Sequence, residues 1–256
     1  METKAKPGRP RRSTFESARA AFWACNLSYL AGKTLAEVER EIYPSRVKKR
    51  DGGGFEQPNI FNKYSKGEKA PRCPITYLDS PVNLADKLYP GSGMAYHSIF
   101  WNVVNNENTE IYFSKYGHLI SIKLKNLLQR HDINIDEKKN LSISDDDFIK
   151  MVCIQHIDVL ALMLMQLRHS SSSIETLHIF YIRNWLLNSS FVYAPFRRCK
   201  TLMLKLIEEK VLELGVMLGV GGIDNNKTDI EANRDALIAA VLSGKSVKLD
   251  PCHRFF

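Results

Sequence analysis

The feature that most constrains the fold is a nearly continuous apolar stretch over residues 148–167. As a helix it would be about long enough to cross a bilayer. It contains Lys150, His156 and Asp158, however, and an aspartate near the middle of a membrane helix is costly. A helix that is apolar on nearly all sides is typical of a protein centre. We therefore predict one buried core helix and no membrane segment.

Asp158 needs a hydrogen bond or a cation if this helix is buried, because an isolated buried carboxylate is strongly destabilising. On one continuous helix the side chains of His156 and Asp158 would point roughly 200° apart, which makes them poor partners. The sequence offers three cations that could pair with the carboxylate instead: Arg183, Arg197 and Arg198.

Other segments repeat apolar residues every three or four positions, the spacing of amphipathic helices. Ser13 or Thr14, Thr34 and Ser144 precede such segments as helix-capping residues. The pattern predicts a mainly α protein. The predicted helices cover residues 14–30, 35–42, 58–64, 81–89, 111–130, 174–188, 201–214 and 229–242.

Positive charge is concentrated at the start of the chain. Residues 1–72 contain 16 of the 36 lysines and arginines but only 8 of the 28 aspartates and glutamates. The remaining residues contain 20 of each kind, so the first part of the chain accounts for the whole formal net charge of +8. A field concentrated in this way attracts polyanions to one end of a molecule.

Residues 1–14 form a polar, proline-bearing arm with the composition of flexible chain. Within it, Pro7-Gly8-Arg9-Pro10-Arg11-Arg12 resembles an AT-hook, whose Gly-Arg-Pro core lies along a narrow minor groove. The resemblance implies minor-groove contacts for Arg9, Arg11 and Arg12, because arginine is attracted to the enhanced negative potential there. A basic tail for solubility, targeting or nonspecific RNA contact is the alternative.

A second resemblance covers Thr-Leu-Ala-Glu-Val-Glu-Arg at residues 34–40 and Ile-Phe-Asn-Lys-Tyr-Ser-Lys-Gly-Glu-Lys-Ala-Pro at residues 60–71. These segments resemble the scaffold and recognition helices of the Xre-type, lambda-repressor-like helix-turn-helix family. The resemblance implies base contacts by Gln57, Asn59, Asn62 and Lys63, and phosphate contacts by Lys66, Lys69 and Arg72. We add the basic loop residues Lys48, Lys49 and Arg50 to this predicted nucleic-acid-binding set.

The sequence departs from that family in the connection between the two helices. The family uses a tight turn, whereas a long segment containing Gly52, Gly53 and Gly54 intervenes here. A basic pair of helices of another kind is therefore the alternative. The turn at residues 90–93 predicts a domain boundary. The predicted domains are then a flexible basic arm (1–14), a basic helix-turn-helix-like module (15–92) and a neutral helical bundle (93–256).

No catalytic or cofactor-binding motif accompanies these features. The triplets at residues 32–34 and 244–246 resemble part of a phosphate loop, but Leu27 and Ala239 replace the glycine that the motif requires. The five cysteines form no CxxC pair, and no histidine has the helical i, i+4 partner of a metal site. We expect no enzymatic activity and no cofactor.

Together these patterns predict a cytoplasmic DNA-binding protein, either a transcriptional regulator or an accessory factor of a mobile element or defence system. Residues 93–256 would then serve homo-oligomerisation or contact with a protein partner. The alternative is a non-enzymatic helical adaptor subunit whose basic end docks on an acidic protein or on RNA.

Overall fold

The structure, a computed structural model, describes residues 13–46, 59–105, 122–133, 143–169 and 172–210. Within these ranges the regular structure is helical and contains no strand, so the predicted mainly α fold is confirmed. Short 3₁₀ turns lie at Pro44–Arg46 and Ser92–Ala95. The α-helices are α1 (Thr14–Ala31), α2 (Leu35–Ile42), α3 (Ile60–Ser65), α4 (Pro81–Leu88), α5 (Ile99–Asn105), α6 (Ile122–Arg130), α7 (Asp145–Val152), α8 (Ile157–His169), α9 (Ser172–Val192) and α10 (Ala194–Lys210).

Capping residues set the ends of the first two helices. The Ser13 hydroxyl accepts the N–H of Glu16 at the start of α1, and Gly32 ends this helix in the left-handed region at φ 62°. Thr34 then begins α2 with a capping box, in which its hydroxyl accepts the N–H of Glu37 and the Glu37 carboxylate accepts the N–H of Thr34. The segment at residues 32–34 is thus a boundary between helices, as predicted.

Helix α1 lies at the centre of the described core. It packs along α10 and also contacts α2, α3, α5 and the turn at Ser92–Ala95. The Phe22 ring is fully buried and meets Trp101 and Tyr193 with centroid separations of 6.1 Å each. Buried alanines on α1 allow neighbouring helices to approach closely. The sequence predicted a single buried face for this helix, but the structure buries most of its circumference.

This core joins helices from both sides of the predicted boundary at residue 92. A single apolar cluster runs from Ala18 on α1 to Ile207 on α10. The helices of the basic module therefore share packing with the last described helix. The division of the chain into two domains stays a prediction.

The apolar stretch over residues 148–167 forms two helices, so the prediction of a single core helix is wrong. Helix α7 ends at Val152 and α8 begins at Ile157. The segment between the two helices is held by α9. The Trp185 indole N–H donates to the backbone carbonyl of Ile154 over 2.8 Å, and the Ser189 hydroxyl donates to the side-chain carbonyl of Gln155. These partners satisfy polar groups that a break in a buried helix would otherwise leave unpaired.

The break also changes the surroundings of Asp158. Its carboxylate accepts a hydrogen bond from the hydroxyl of Ser98, and its backbone N–H donates to Nδ1 of His156 over 3.2 Å. Nδ1 of His156 lies 3.9 Å from the carboxylate. The predicted arginine partner is therefore wrong. The prediction that His156 and Asp158 are poor partners is also wrong, because it assumed one continuous helix. His156 precedes α8, and Asp158 lies in the first turn of that helix, where the helix dipole favours negative charge.

The remaining predicted helices agree with the structure where it describes them. The helix over residues 174–188 is part of α9, and the helix predicted from residue 201 begins earlier, as α10. The predicted helix at residues 229–242 lies outside the described residues, as does the first part of the one at 111–130. In the part of the chain that the structure covers, no helix is both long enough and apolar enough to cross a bilayer.

Replacing Phe22 by alanine should lower the free energy of unfolding by about 3–5 kcal/mol, because it leaves a cavity between α1, α5 and the start of α10. Phe180 on α9 is 49% exposed, so the same substitution there is the matched control and should cost much less. Urea unfolding followed by circular dichroism measures both values. Equal losses for the two variants would contradict the central position of α1.

Candidate nucleic-acid interface

Helix α3 is fixed to the core by the aromatic side chains on its inner face. Phe61 is fully buried and Tyr64 is nearly so. Both rings lie against Trp23 of α1, at centroid separations of 5.7 and 5.9 Å. A helix as short as Ile60–Ser65 is not stable in isolation. Its conformation therefore depends on this packing.

A buried carboxylate fixes the start of the same helix. Glu39 of α2 is 4% exposed, and its two carboxylate oxygens accept the N–H groups of Ile60 over 3.2 Å and of Phe61 over 3.0 Å. Asn59 precedes the helix, but its side chain makes no capping hydrogen bond. Glu39 thus joins α2 directly to α3, whatever path residues 47–58 take between them.

The end of α3 is fixed by a glycine that contacts two other helices. Gly67 has φ 68°, a conformation that side-chain-bearing residues rarely adopt. A Cβ atom at this position would lie 2.9 Å from Leu202 of α10 and 3.0 Å from Ser17 of α1. Glu68 and Lys69 then donate their N–H groups to the carbonyl of Lys63. The turn after α3 is therefore as well anchored as the helix itself.

The structure describes six of the predicted nucleic-acid-binding residues, all on α3 or on the segments next to it. Asn59, Lys66, Lys69 and Arg72 are exposed, and Asn62 and Lys63 are half-buried. Among the described residues, no carboxylate forms an ion pair with Lys63, Lys66, Lys69 or Arg72. We call the surface formed by these four cations and the two asparagines the α3 surface.

The other predicted contacts lie outside the described residues. They are Arg9, Arg11, Arg12, Lys48, Lys49, Arg50 and Gln57.

Two further cations of the basic region are occupied within the fold. Lys33 donates to Glu41 over 2.6 Å, a hydrogen bond that lowers the pKa of the Glu41 carboxyl. The Arg19 guanidinium donates to the carbonyl of Tyr96 over 2.8 Å and lies 4.1 Å from the centroid of that ring. Partial burial lowers the pKa of Arg19. These two side chains support the helices and are not part of the α3 surface.

The aromatic segment near residue 96 belongs to the core. Tyr96, Phe100 and Trp101 are each less than a tenth exposed, and Trp101 packs against Phe15 as well as Phe22. Buried rings are not available to stack on bases. The segment instead anchors the basic region to the helices that follow.

Comparison with protein-family models, with curated proteins and with solved structures gives no match for this chain. The interpretation of the α3 surface therefore rests on its geometry and charge. Within the described ranges, no three side chains of histidine, cysteine, aspartate or glutamate are grouped in a way that could hold a metal ion.

Sequence reasoning missed the role of Glu39. It used the apolar residues Leu35, Val38 and Ile42 to predict an amphipathic helix and assigned no role to the glutamates of that helix. Glu39 lies next to Val38 and four residues after Leu35, however, so helical geometry places it at the edge of that apolar face. A carboxylate in this position could have been identified as a candidate cap for a neighbouring helix.

Replacing Glu39 by alanine should reduce the free energy of unfolding by about 1–3 kcal/mol, because two N–H groups at the start of α3 lose a buried acceptor. Glu39→Gln keeps one acceptor oxygen and should cost less. Glu68, which is exposed just after α3, provides the control, and Glu68→Ala should have little effect. Thermal and urea unfolding measure the series, and equal stability of Glu39→Ala and Glu68→Ala would contradict the capping role.

Cys73 should be the cysteine that alkylates fastest among those the structure describes. It is exposed, and hydrogen bonds from the N–H of Thr76, then from the Thr76 hydroxyl and from Ile75, lower the pKa of its thiol. A lowered pKa increases the thiolate fraction at neutral pH, and the thiolate is the reactive form. Burial raises the pKa of Cys153 and Cys199, whereas Cys25 is 3% exposed.

Brief treatment with iodoacetamide followed by peptide mass spectrometry measures these rates. Cys73→Ser is the control. Reaction of Cys153 or Cys25 at the rate of Cys73 would contradict the prediction.

Proposed function

We propose that the chain binds duplex DNA through the α3 surface, as a transcriptional regulator or an accessory factor of a mobile element or defence system. The observation that carries the proposal is the set of four cations, Lys63, Lys66, Lys69 and Arg72, with none of which a described carboxylate forms an ion pair. Cations in this state attract the phosphates of DNA. When they bind, the counterions condensed around those phosphates are released.

The geometry of α3 suits a helix that contacts a groove. Its inner face is occupied by Phe61 and Tyr64, and its ends are fixed by Glu39 and Gly67, so its orientation is set before DNA binds. A surface held in this way loses little conformational entropy on binding. This arrangement supports the helix-turn-helix resemblance, in which α2 is the scaffold helix and α3 the recognition helix.

The side chains available on α3 indicate modest sequence specificity. The amides of Asn59 and Asn62 can form paired hydrogen bonds with adenine edges in the major groove. A helix of six residues is only about 9 Å long, so it reaches few base pairs. Most of the binding free energy would then come from phosphate contacts, which position a protein without reading sequence.

The helical part of the chain after residue 92 is proposed to serve in homo-oligomerisation or in contact with a protein partner. Support comes from the end of α9, where Phe191 is 45% exposed and Val192 is 58% exposed. Two side chains do not make an interface by themselves, but a contact surface that includes the end of α9 would cover them.

DNA affinity should fall steeply with salt. If the four described cations all contact phosphates, a plot of log Kobs against log salt concentration should have a slope of about −3 to −4. Fluorescence anisotropy with a labelled duplex, titrated at several salt concentrations, measures the slope. A slope near zero would remove the proposal.

Charge reversal should locate the interface. Lys66→Glu/Lys69→Glu should abolish binding or reduce the magnitude of the salt slope by about 2, roughly one for each phosphate that is no longer neutralised. Lys125→Glu/Arg130→Glu on α6 makes the same change in net charge and should retain binding. Equal effects of the two double variants would show only a response to overall charge.

If wild type binds RNA or an acidic protein but no duplex, the adaptor alternative replaces the proposal.

A further inference from the structure

The turn that follows the α3 surface exposes two large apolar side chains to solvent. Ile75 is 84% exposed and Leu78 is 83% exposed. No other large apolar side chain among the described residues is as exposed as these two. They lie three residues apart in the segment over residues 73–79, which connects Arg72 to α4. We call this segment the apolar turn.

The exposure of these side chains comes from a turn that is held by hydrogen bonds. The N–H of Tyr77 donates to the carbonyl of Cys73, and the N–H of Ser80 donates to the carbonyl of Tyr77, each over 3.0 Å. The side-chain amide of Asn83 on α4 donates to the carbonyls of Pro74 and Tyr77, over 2.8 and 3.1 Å. Pro74 itself is buried. The chain thus uses several hydrogen bonds and a buried proline to hold Ile75 and Leu78 in water.

The apolar turn is continuous with the α3 surface. The Arg72 guanidinium lies 5.5 Å from the centroid of the Tyr77 ring, so one of the four cations contacts the turn directly. Lys69 precedes Arg72 by three residues, and the only carboxylate within the turn is Asp79. A polyanion held by the cations would therefore lie beside the exposed apolar side chains.

We propose that Ile75 and Leu78 form a wedge that inserts between base pairs of the DNA bound at the α3 surface. This inference rests on the proposed function. Proteins that bend DNA through the minor groove insert side chains such as isoleucine and leucine between base steps and kink the duplex by about 20–90°. The opened step offers flat apolar faces to the wedge, while neighbouring cations neutralise the phosphates that the bend brings together.

The size of the apolar turn favours DNA over a protein as its partner. A stable protein interface buries about 800 Å² on each partner around an apolar centre. Here the exposed apolar groups of the turn are Ile75, Leu78 and the 46% exposed Tyr77, whose ring lies against the Arg72 guanidinium. This combination matches a duplex, which presents phosphates on its outside and apolar base faces within.

The wedge is tested with a duplex that carries a donor dye at one end and an acceptor at the other, saturated with protein. Wild type should shorten the end-to-end distance and raise the fluorescence of 2-aminopurine placed at the opened step. Ile75→Ala/Leu78→Ala should bind with lower affinity and leave the duplex nearly straight. Ile75→Met/Leu78→Met should retain bending, because methionine also serves as a wedge residue.

Leu88→Ala/Met94→Ala is the matched control. It removes two other exposed apolar side chains of the same region and should bend DNA as wild type does. All four positions are exposed, so circular dichroism melts should be unchanged.

Three results would overturn the wedge and leave DNA binding intact. Two of them are bound wild type that leaves the duplex straight and an alanine double variant that bends it fully. A third would be a concentration-dependent sedimentation coefficient that the alanine variant abolishes without any change in bending, which would assign the turn to contacts between copies of the chain. Failure of the DNA-binding proposal is distinguishable from failure of the wedge, because wild type would then bind no duplex at all.

Discussion

The burial of α1 is the constraint on which the described fold depends. This helix is apolar around most of its circumference and carries alanines that let other helices approach. It can therefore be shielded from water only by neighbours on several sides. The chain supplies them from distant segments, with α10 along one side and α3, α5 and the turn at Ser92–Ala95 around the rest. The order of the helices in sequence thus differs from their order in space.

The position of the α3 surface follows from this arrangement. Phe61 and Tyr64 pack against Trp23 of α1. The first N–H groups of α3 donate to the carboxylate of Glu39 on α2. With its inner face and both ends occupied, α3 presents only its polar side to solvent. None of the described carboxylates forms an ion pair with the four cations of the α3 surface. The arrangement combines a rigid support with cations that form no ion pair with a described carboxylate, and such a surface attracts anions.

Local sequence signals predicted the helices well, because caps and apolar spacing act within a few residues. Thr34, Ser144 and the glycine at position 32 marked helix ends that the structure reproduces. Long-range effects were not predictable in the same way. The break after Val152 depends on Trp185 and Ser189, which are far away in sequence.

The difference between local and long-range effects also applies to the candidate site. Its cations and asparagines could be identified from a short motif, because they all lie on α3 or on the segments next to it. The apolar turn lies outside that motif, and the motif assigns no role to Glu39. Glu39 acts across a long connection, and the exposure of Ile75 and Leu78 depends on hydrogen bonds from Asn83 that no spacing rule encodes.

The contact between Gly67 and α10 has a practical consequence. Leu202 lies so close to Gly67 that the end of the candidate recognition helix is in direct contact with the last described helix. A truncated protein that stops near residue 92 would lack this support and would expose the side of α1 that α10 normally covers. Biochemical work on the basic region should therefore use chains that extend at least through Lys210, because the shorter fragment would report on an unsupported helix.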